Sequence, residues 1–183
     1  FYKNQKYELR KKYGFSESDY LIGSFQRDTE GNDLKSPKLI KGPDIFLDIV
    51  KKINLNEENL KIILTGKRRQ YLIENFNKFG IKYKYYEMVN FETINNLYNI
   101  LDLYLVTSRV EGGPQAIIEC GLTKTPILST DVGIAQNILD PKSIFNENNF
   151  FEARTNVDYA YNKSKEMSIP LGMREFISMF KNL

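Results

Sequence analysis

Two glutamates close a stretch that reads Thr107-Ser108-Arg109-Val110-Glu111-Gly112-Gly113-Pro114-Gln115-Ala116-Ile117-Ile118-Glu119. Its types spell a strand end, a glycine pair and a helix opened by Pro114. Gly112 and Gly113 allow a ligand to approach the backbone closely. The first amides of the helix, those of Gln115 and Ala116, have no partner inside it and carry roughly half a positive charge, which suits a phosphate. Phosphate alone calls for no carboxylates. Glu111 lies in the loop and Glu119 two turns along the helix, so that both can face one cleft and accept hydrogen bonds from hydroxyls. Amides for phosphate beside carboxylates for hydroxyls describe a sugar nucleotide.

Composition removes most other chemistries. The chain of 183 residues has no histidine and a single cysteine, Cys120. Ser-His-Asp and Cys-His catalysis, His-ligated metals, Cys-based zinc sites and a disulfide framework are therefore excluded. Cys120 reads as a small buried apolar residue. The 26 basic and 23 acidic residues leave a net charge of +3, too balanced for the basic stripe of a nucleic-acid binder. The longest apolar run, Ile100 to Val106, is interrupted by Asp102 and falls short of the roughly 18 residues of a membrane span. With one thiol and no signal-peptide pattern the expected compartment is the cytoplasm. The start at Phe1-Tyr2-Lys3, without an initiator Met, reads as the interior of a longer protein.

The elements that must position these residues alternate between short apolar runs and helix-period segments, the pattern of a parallel α/β sheet. Strands are expected at Tyr20 to Phe25, Leu60 to Leu64, Tyr83 to Tyr86, Leu103 to Val106, Pro126 to Ser129 and Ser143 to Phe145. A polar helix ends at Lys12-Tyr13 with Gly14 as its cap. Pro43 opens a helix with Ile45, Phe46, Ile49, Val50 and Ile53 on one face, and further helices cover Arg68 to Phe79, Phe91 to Ile100 and Pro114 to Leu122. A short helix follows Gly133, and a polar helix precedes the last one, Met173 to Phe180. No linker or repeat divides the chain, so it is expected to form one domain, with ligands beyond the C-terminal ends of its strands. Tyr98 and Asp102 read as packing and capping residues.

At Thr107 to Gly133 the residues resemble a known family, the retaining nucleotide-sugar glycosyltransferases of GT-B type, group 1 or family four. The shared signature is a Glu, seven residues and a second Glu, then a Gly, a Pro and a strand ending near Asp-Val-Gly. Here these are Glu111, Glu119, Gly121, Pro126, Asp131, Val132 and Gly133. The likeness reaches back through Asn96-Leu97-Tyr98 and Leu101-Asp102 to the strand at Tyr20. It implies a Rossmann-like doubly wound parallel sheet, the C-terminal half of a GT-B fold, that binds a nucleoside diphosphate sugar and transfers the sugar with retention, in polysaccharide or glycolipid biosynthesis. No metal or other cofactor is implied.

The same resemblance assigns residues. Arg27 and Lys41, the latter with Gly42, would bind the donor diphosphate and offset its charge as the glycosidic bond breaks. Glu111 would contact the transferred sugar, which makes Glu111, Arg27 and Lys41 the catalytic group. Glu119 would hold the ribose hydroxyls, with Gly112, Gly113, Gln115 and Ala116 around the phosphates. Gly66 and Lys67 would lie near the nucleotide, and the base would rest against the turn at Met88. The loop Asp28 to Ile40 between Arg27 and Lys41 is longer than the family's. Its start, Asp28 to Asp33, has the acids of a calcium loop with the Gly at the wrong position.

The resemblance also implies an N-terminal acceptor-binding domain that these 183 residues do not include. Alone the chain is then expected to bind donor weakly and not to transfer sugar. Met173, Phe176, Ile177 and Phe180 form an apolar stripe on the last helix. It would pack on that other domain, or fold back, or drive self-association, and the full-length protein would sit at the inner face of a membrane. Two other readings are a non-catalytic nucleotide-binding domain, which would lack Arg27 or Lys41 in its cleft, and a sugar-nucleotide epimerase, against which the missing histidine counts. No G-x-G-x-x-G follows a strand, which speaks against a dehydrogenase.

Overall fold

The computed structural model describes residues 3–181. In chain order the elements are α1 (Lys3–Lys12), β1 (Tyr20–Ser24), a small ribbon of β2 (Thr29–Glu30) and β3 (Ser36–Pro37), α2 (Pro43–Asn54), β4 (Leu60–Thr65), α3 (Gln70–Phe79), β5 (Tyr83–Tyr86), α4 (Phe91–Ile100), β6 (Leu103–Val106), α5 (Gln115–Thr123), β7 (Ile127–Thr130), α6 (Ala135–Ile138), β8 (Ile144–Phe145), α7 (Val157–Glu166) and α8 (Arg174–Lys181). Six strands form one parallel sheet in the order β5-β4-β1-β6-β7-β8. The chain winds outward from β1 to β5, returns to the other side of β1 and winds outward again. The reversal falls between β1 and β6, which is where a doubly wound sheet opens a crevice at its C-terminal edge.

Alternation along each strand splits the core into two layers. Ile22, Ile62, Leu64, Leu103 and Leu105 meet Ile45, Phe46, Ile49 and Val50 of α2 and Leu72 and Phe76 of α3 on one face. Leu21, Ile63, Tyr104 and Val106 meet Leu97 and Ile100 of α4, Ile117 and Cys120 of α5, Ala135 and Ile138 of α6 and Ala160 of α7 on the other. The helices α5 and α7 lie so close that a Cβ on Gly121 would fall 1.9 Å from Ser164 Oγ. The Gly of the signature is thus a packing requirement. Among the described residues no helix is long and apolar enough to cross a membrane.

Several boundaries differ from the sequence expectation for local reasons. The helix expected from Arg68 begins only at Gln70, because Arg68 takes a left-handed φ of 59° and Arg69 turns inward. The Arg69 side chain is fully buried. It donates to Asp28 Oδ2 at 2.6 Å, to the carbonyls of Ser24 and Thr65 and to Ser24 Oγ. Burial pushes the Asp28 carboxyl up and the Arg69 guanidinium down, and their mutual contact opposes both shifts. Asp28, at the head of the stretch with calcium-loop acids, is therefore a buried partner of Arg69, and the ribbon β2–β3 rises from it. Pro114 precedes α5 in an extended conformation, ψ 114°, and is its cap rather than its first residue. On α8 Phe176 and Phe180 are more than half exposed and stack on each other at 4.9 Å, so the apolar stripe faces outward.

Candidate functional site

A cleft of about 220 Å³ opens at the crevice between β1 and β6, with walls that include Phe25 and Gln26 beyond β1, Glu111 and Glu119 beyond β6, and Lys41 ahead of α2. Hollows of 290 Å³ beside Leu55 and Phe79 and of 490 Å³ beside Lys6 and Asp102 are larger, but they lie away from the strand C-termini and contain none of the expected site residues.

Lys41 reaches the cleft because of the glycine that follows it. A 3-10 turn at Leu39–Lys41 ends on Gly42, whose φ of 60° starts α2 directly against the end of β6. A Cβ on Gly42 would lie 1.8 Å from the Thr107 carbonyl oxygen. That contact carries Lys41 onto Glu111, and the two form an ion pair in which the Glu111 side chain is 8% exposed. Ser108 Oγ also donates to Glu111 at 2.7 Å, and Gln26 donates through Nε2 to the Lys41 carbonyl at 3.0 Å. Carboxylate, ammonium, hydroxyl and amide thus form one connected group.

The loop from Thr107 to Pro114 is clamped from both sides. On the α2 side, the Arg109 amide donates to the Ile40 carbonyl at 2.9 Å, and the Arg109 guanidinium forks onto both oxygens of Asp44 at 2.8 and 2.7 Å. Those donors hold the Asp44 carboxyl below its ordinary range. On the other side, Thr130 Oγ1 donates to the Ser108 carbonyl at 2.6 Å. Gly133, at φ 52°, packs against the Gly112–Gly113 peptide so tightly that a Cβ there would lie 2.6 Å from the Gly112 oxygen. At the end of the loop, Ile117 donates to the Pro114 carbonyl, while no protein acceptor among the described residues meets the amides of Gln115 or Ala116. Both residues are in the cleft wall, so the helix end expected to suit an anion is open to it.

Glu119 projects from α5 toward α4, where the Tyr98 hydroxyl donates to its Oε2 at 2.6 Å. Tyr98 belongs to an aromatic floor, with ring centroids 4.9 Å from Phe25 and 5.4 Å from Tyr104. Burial, reinforced by Tyr104, Cys120 and Glu119, pushes the Tyr98 phenol far up, so it remains a donor at every ordinary pH. Burial likewise pushes the Cys120 thiol well up, in keeping with an unreactive core residue.

The structure brings together Lys41, Glu111, Glu119, Gln115 and Ala116 in one wall. Gly112 and Gly113 are exposed on the adjoining loop. Arg27 stands one residue beyond Gln26, but its Nε donates to the Thr29 carbonyl at 2.7 Å and it is not in the cleft wall. Gly66, Lys67 and Met88 follow β4 and β5 on the same sheet edge, outside the cleft. Gly66 has φ 85° and accepts from the Tyr85 hydroxyl, while Lys67 and Met88 are exposed. Sequence reasoning passed over Gln26 and Ser108 and gave Tyr98 only a packing role. A polar residue two positions beyond the end of each of the two central strands, β1 and β6, was the available signal for the first two. Among the described residues no group of three or more carboxylate or thiol side chains could hold a metal ion.

Residues 36–167 match the family model described as glycosyl transferases group 1. No curated protein matches the sequence. Among solved structures, HepE of Anabaena in complex with UDP and glucose superposes with a TM-score of 0.70 at 15% identity, covering 100% of this chain and 53% of its own. A glycosyltransferase from Rickettsia africae gives 0.72 at 16% identity, with 100% and 52% covered. Sucrose-phosphate synthase from Thermosynechococcus elongatus gives 0.71 at 14% identity, with 96% and 49% covered. At these identities the likeness is one of fold, and the chain spans about half the length of each structure.

Proposed function

The chain belongs to the group 1 glycosyl transferases, and we propose that it forms the half of such an enzyme that binds a nucleoside diphosphate sugar, the donor from which the sugar is transferred. The reading rests above all on one observation: the Lys41–Glu111 pair, the Glu119 carboxylate and the free amides of α5 line a single cleft at the crevice between β1 and β6. It is supported by the group 1 match and by the fold shared with structures that hold UDP and glucose.

In this proposal the open amides of Gln115 and Ala116, with Gly112 and Gly113 beside them, receive the diphosphate, and Lys41 turns part of its three-donor ammonium onto it. As the glycosidic bond breaks, negative charge grows on the leaving diphosphate. A fixed ammonium and a helix dipole oppose that charge without reorganising. Glu111, steadied by Ser108, contacts the sugar, and Glu119 takes the ribose hydroxyls. The nucleotide extends past Gly66 and Lys67 toward Met88. Transfer proceeds with retention, without a metal, and builds a polysaccharide or glycolipid. The acceptor is bound by an N-terminal domain on which the outward apolar stripe of α8 packs, and this chain by itself does not transfer sugar.

A second reading, a nucleotide-binding domain without transfer, is favoured by one feature: Arg27 is engaged with the Thr29 carbonyl rather than lining the cleft.

Thermal unfolding with UDP, GDP and ADP, free and as sugar conjugates, tests the proposal. At 100 times its dissociation constant a ligand adds about 2.7 kcal/mol and raises the midpoint by several degrees. One base is expected to stabilise the chain, and Glu119→Ala to weaken that effect. A flat response to all three bases would overturn donor binding, and sugar transfer by the chain alone would overturn its division of labour.

A further inference from the structure

Glu119 is held in place by a residue that cannot move away. Tyr98 is 3% exposed, its ring is wedged against Phe25 and Tyr104, and its carbonyl accepts from Thr125 Oγ1 at 2.9 Å. A swing of the phenol would break the aromatic floor, and the bond to Thr125 fixes the backbone that carries it. The hydroxyl lies 2.6 Å from Glu119 Oε2, a short bond of the kind a neutral phenol makes to an ionised carboxylate. The other oxygen, Oε1, meets no protein donor among the described residues, and Glu119 lines the cleft. One oxygen is tied down and the other is offered.

We infer that Tyr98 is a positioning residue that makes Glu119 a reader of ligand hydroxyls, and hence that it sets the preference of the cleft for ribose over deoxyribose nucleotides. This deepens the donor-binding reading and rests on it. A glutamate has three side-chain torsions, and one left free on a helix would have to be ordered by each ligand that binds. Tied to Tyr98, the carboxylate plane is fixed before binding. A hydroxyl pair set against that plane finds its acceptor already aimed. A ligand without hydroxyls leaves Oε1 desolvated and unpaired, which costs more than the loss of a bond in water. Tyr98 itself need not touch the ligand.

Calorimetric titration of UDP and of 2′,3′-dideoxy-UDP separates positioning from packing, with the GDP or ADP pair used instead if that base is the one bound. The wild-type chain is expected to prefer the ribonucleotide by about tenfold or more, the scale of a hydrogen bond to a charged group. Tyr98→Phe keeps the ring and removes only the hydroxyl. It should bring the two affinities close together, chiefly by weakening the ribonucleotide. Tyr86→Phe, which deletes a buried hydroxyl that has no hydrogen-bond partner among the described residues and lies outside the cleft, should leave the preference intact. Should Tyr98→Phe fold poorly, Tyr98→Met, an unbranched apolar side chain that also lacks the hydroxyl, gives the same reading, because Glu119 keeps its full reach in both. If Tyr98→Phe retains the preference, or loses both ligands equally, the positioning role is overturned while donor binding stands. A wild-type chain that binds none of the three nucleotides overturns donor binding, and this role with it.

Discussion

The Lys41 ammonium and the Glu111 carboxylate, seventy residues apart in sequence, neutralise each other across the cleft wall. The pair makes opposite predictions for its two members. Glu111→Gln removes a negative charge from beside the diphosphate position and releases Lys41, so UDP alone should bind several-fold more tightly. UDP-glucose should gain less or weaken, because the sugar loses its acceptor. Lys41→Ala leaves Glu111 without its countercharge and should weaken UDP about tenfold or more. Uridine, with no phosphate, should respond little to either change. Calorimetry over a range of salt concentrations checks all three, and a Glu111→Gln variant that binds free UDP as poorly as Lys41→Ala would remove Lys41 from its assigned place.

Two glycines with almost the same backbone angles should differ sharply in what alanine does to them. Gly80 closes α3 at φ 66° with nothing within 4 Å of a would-be Cβ. Gly80→Ala should therefore cost only the left-handed strain, about 1 kcal/mol. Gly42 has φ 60°, and its Cβ would lie 1.8 Å from the carbonyl oxygen of Thr107. Backbone cannot yield as a flexible side chain can. Gly42→Ala should cost about 3 kcal/mol or more and pull Lys41 off Glu111. Urea denaturation measures both, and equal losses would show that α2 does not rest on β6 as described.

The Asp44–Arg109 fork should give the cleft loop a pH dependence of known sign. Arg109 holds the Asp44 carboxyl below the ordinary carboxylate range, so the folded value is lower than the unfolded one of about 3.9. Its stabilisation is then complete above the unfolded value and disappears as pH falls through the folded one. With side chains 33% and 38% exposed, the pair contributes less than about 1 kcal/mol. Asp44→Asn should be slightly less stable than wild type near pH 7 and indistinguishable near pH 2. A gap that widens in acid would contradict the geometry.

The legible parts of the fold are those written locally. Strand, turn and helix alternate in the hydrophobic pattern, and caps such as Gly14 and Gly80 mark helix ends by composition alone. Glu111 and Glu119 were legible because a glycine pair and a proline fix the geometry between them. What stayed hidden joins distant residues. Arg69 is an ordinary cation beside Lys67 and Arg68 until Asp28, forty-one positions earlier, closes on it inside the sheet edge. Tyr98 fits a helical stripe with Ile94, Leu97 and Leu101, so only the fold shows that its hydroxyl leaves the core and reaches Glu119. Ser108 and Gln26 meet across eighty-two positions, and nothing local to either announces the other. The ribbon β2–β3 escaped because two-residue strands have no period to detect.

The narrow contacts around the cleft mouth set its shape by main chain alone, with Gly42 on the Thr107 carbonyl and Gly133 on the Gly112–Gly113 peptide. No side chain at those points can be trimmed or enlarged to resize the opening. Any change that refits the cleft to a different ligand then has to come from side chains in its wall, such as those of Ile94 and Gln115.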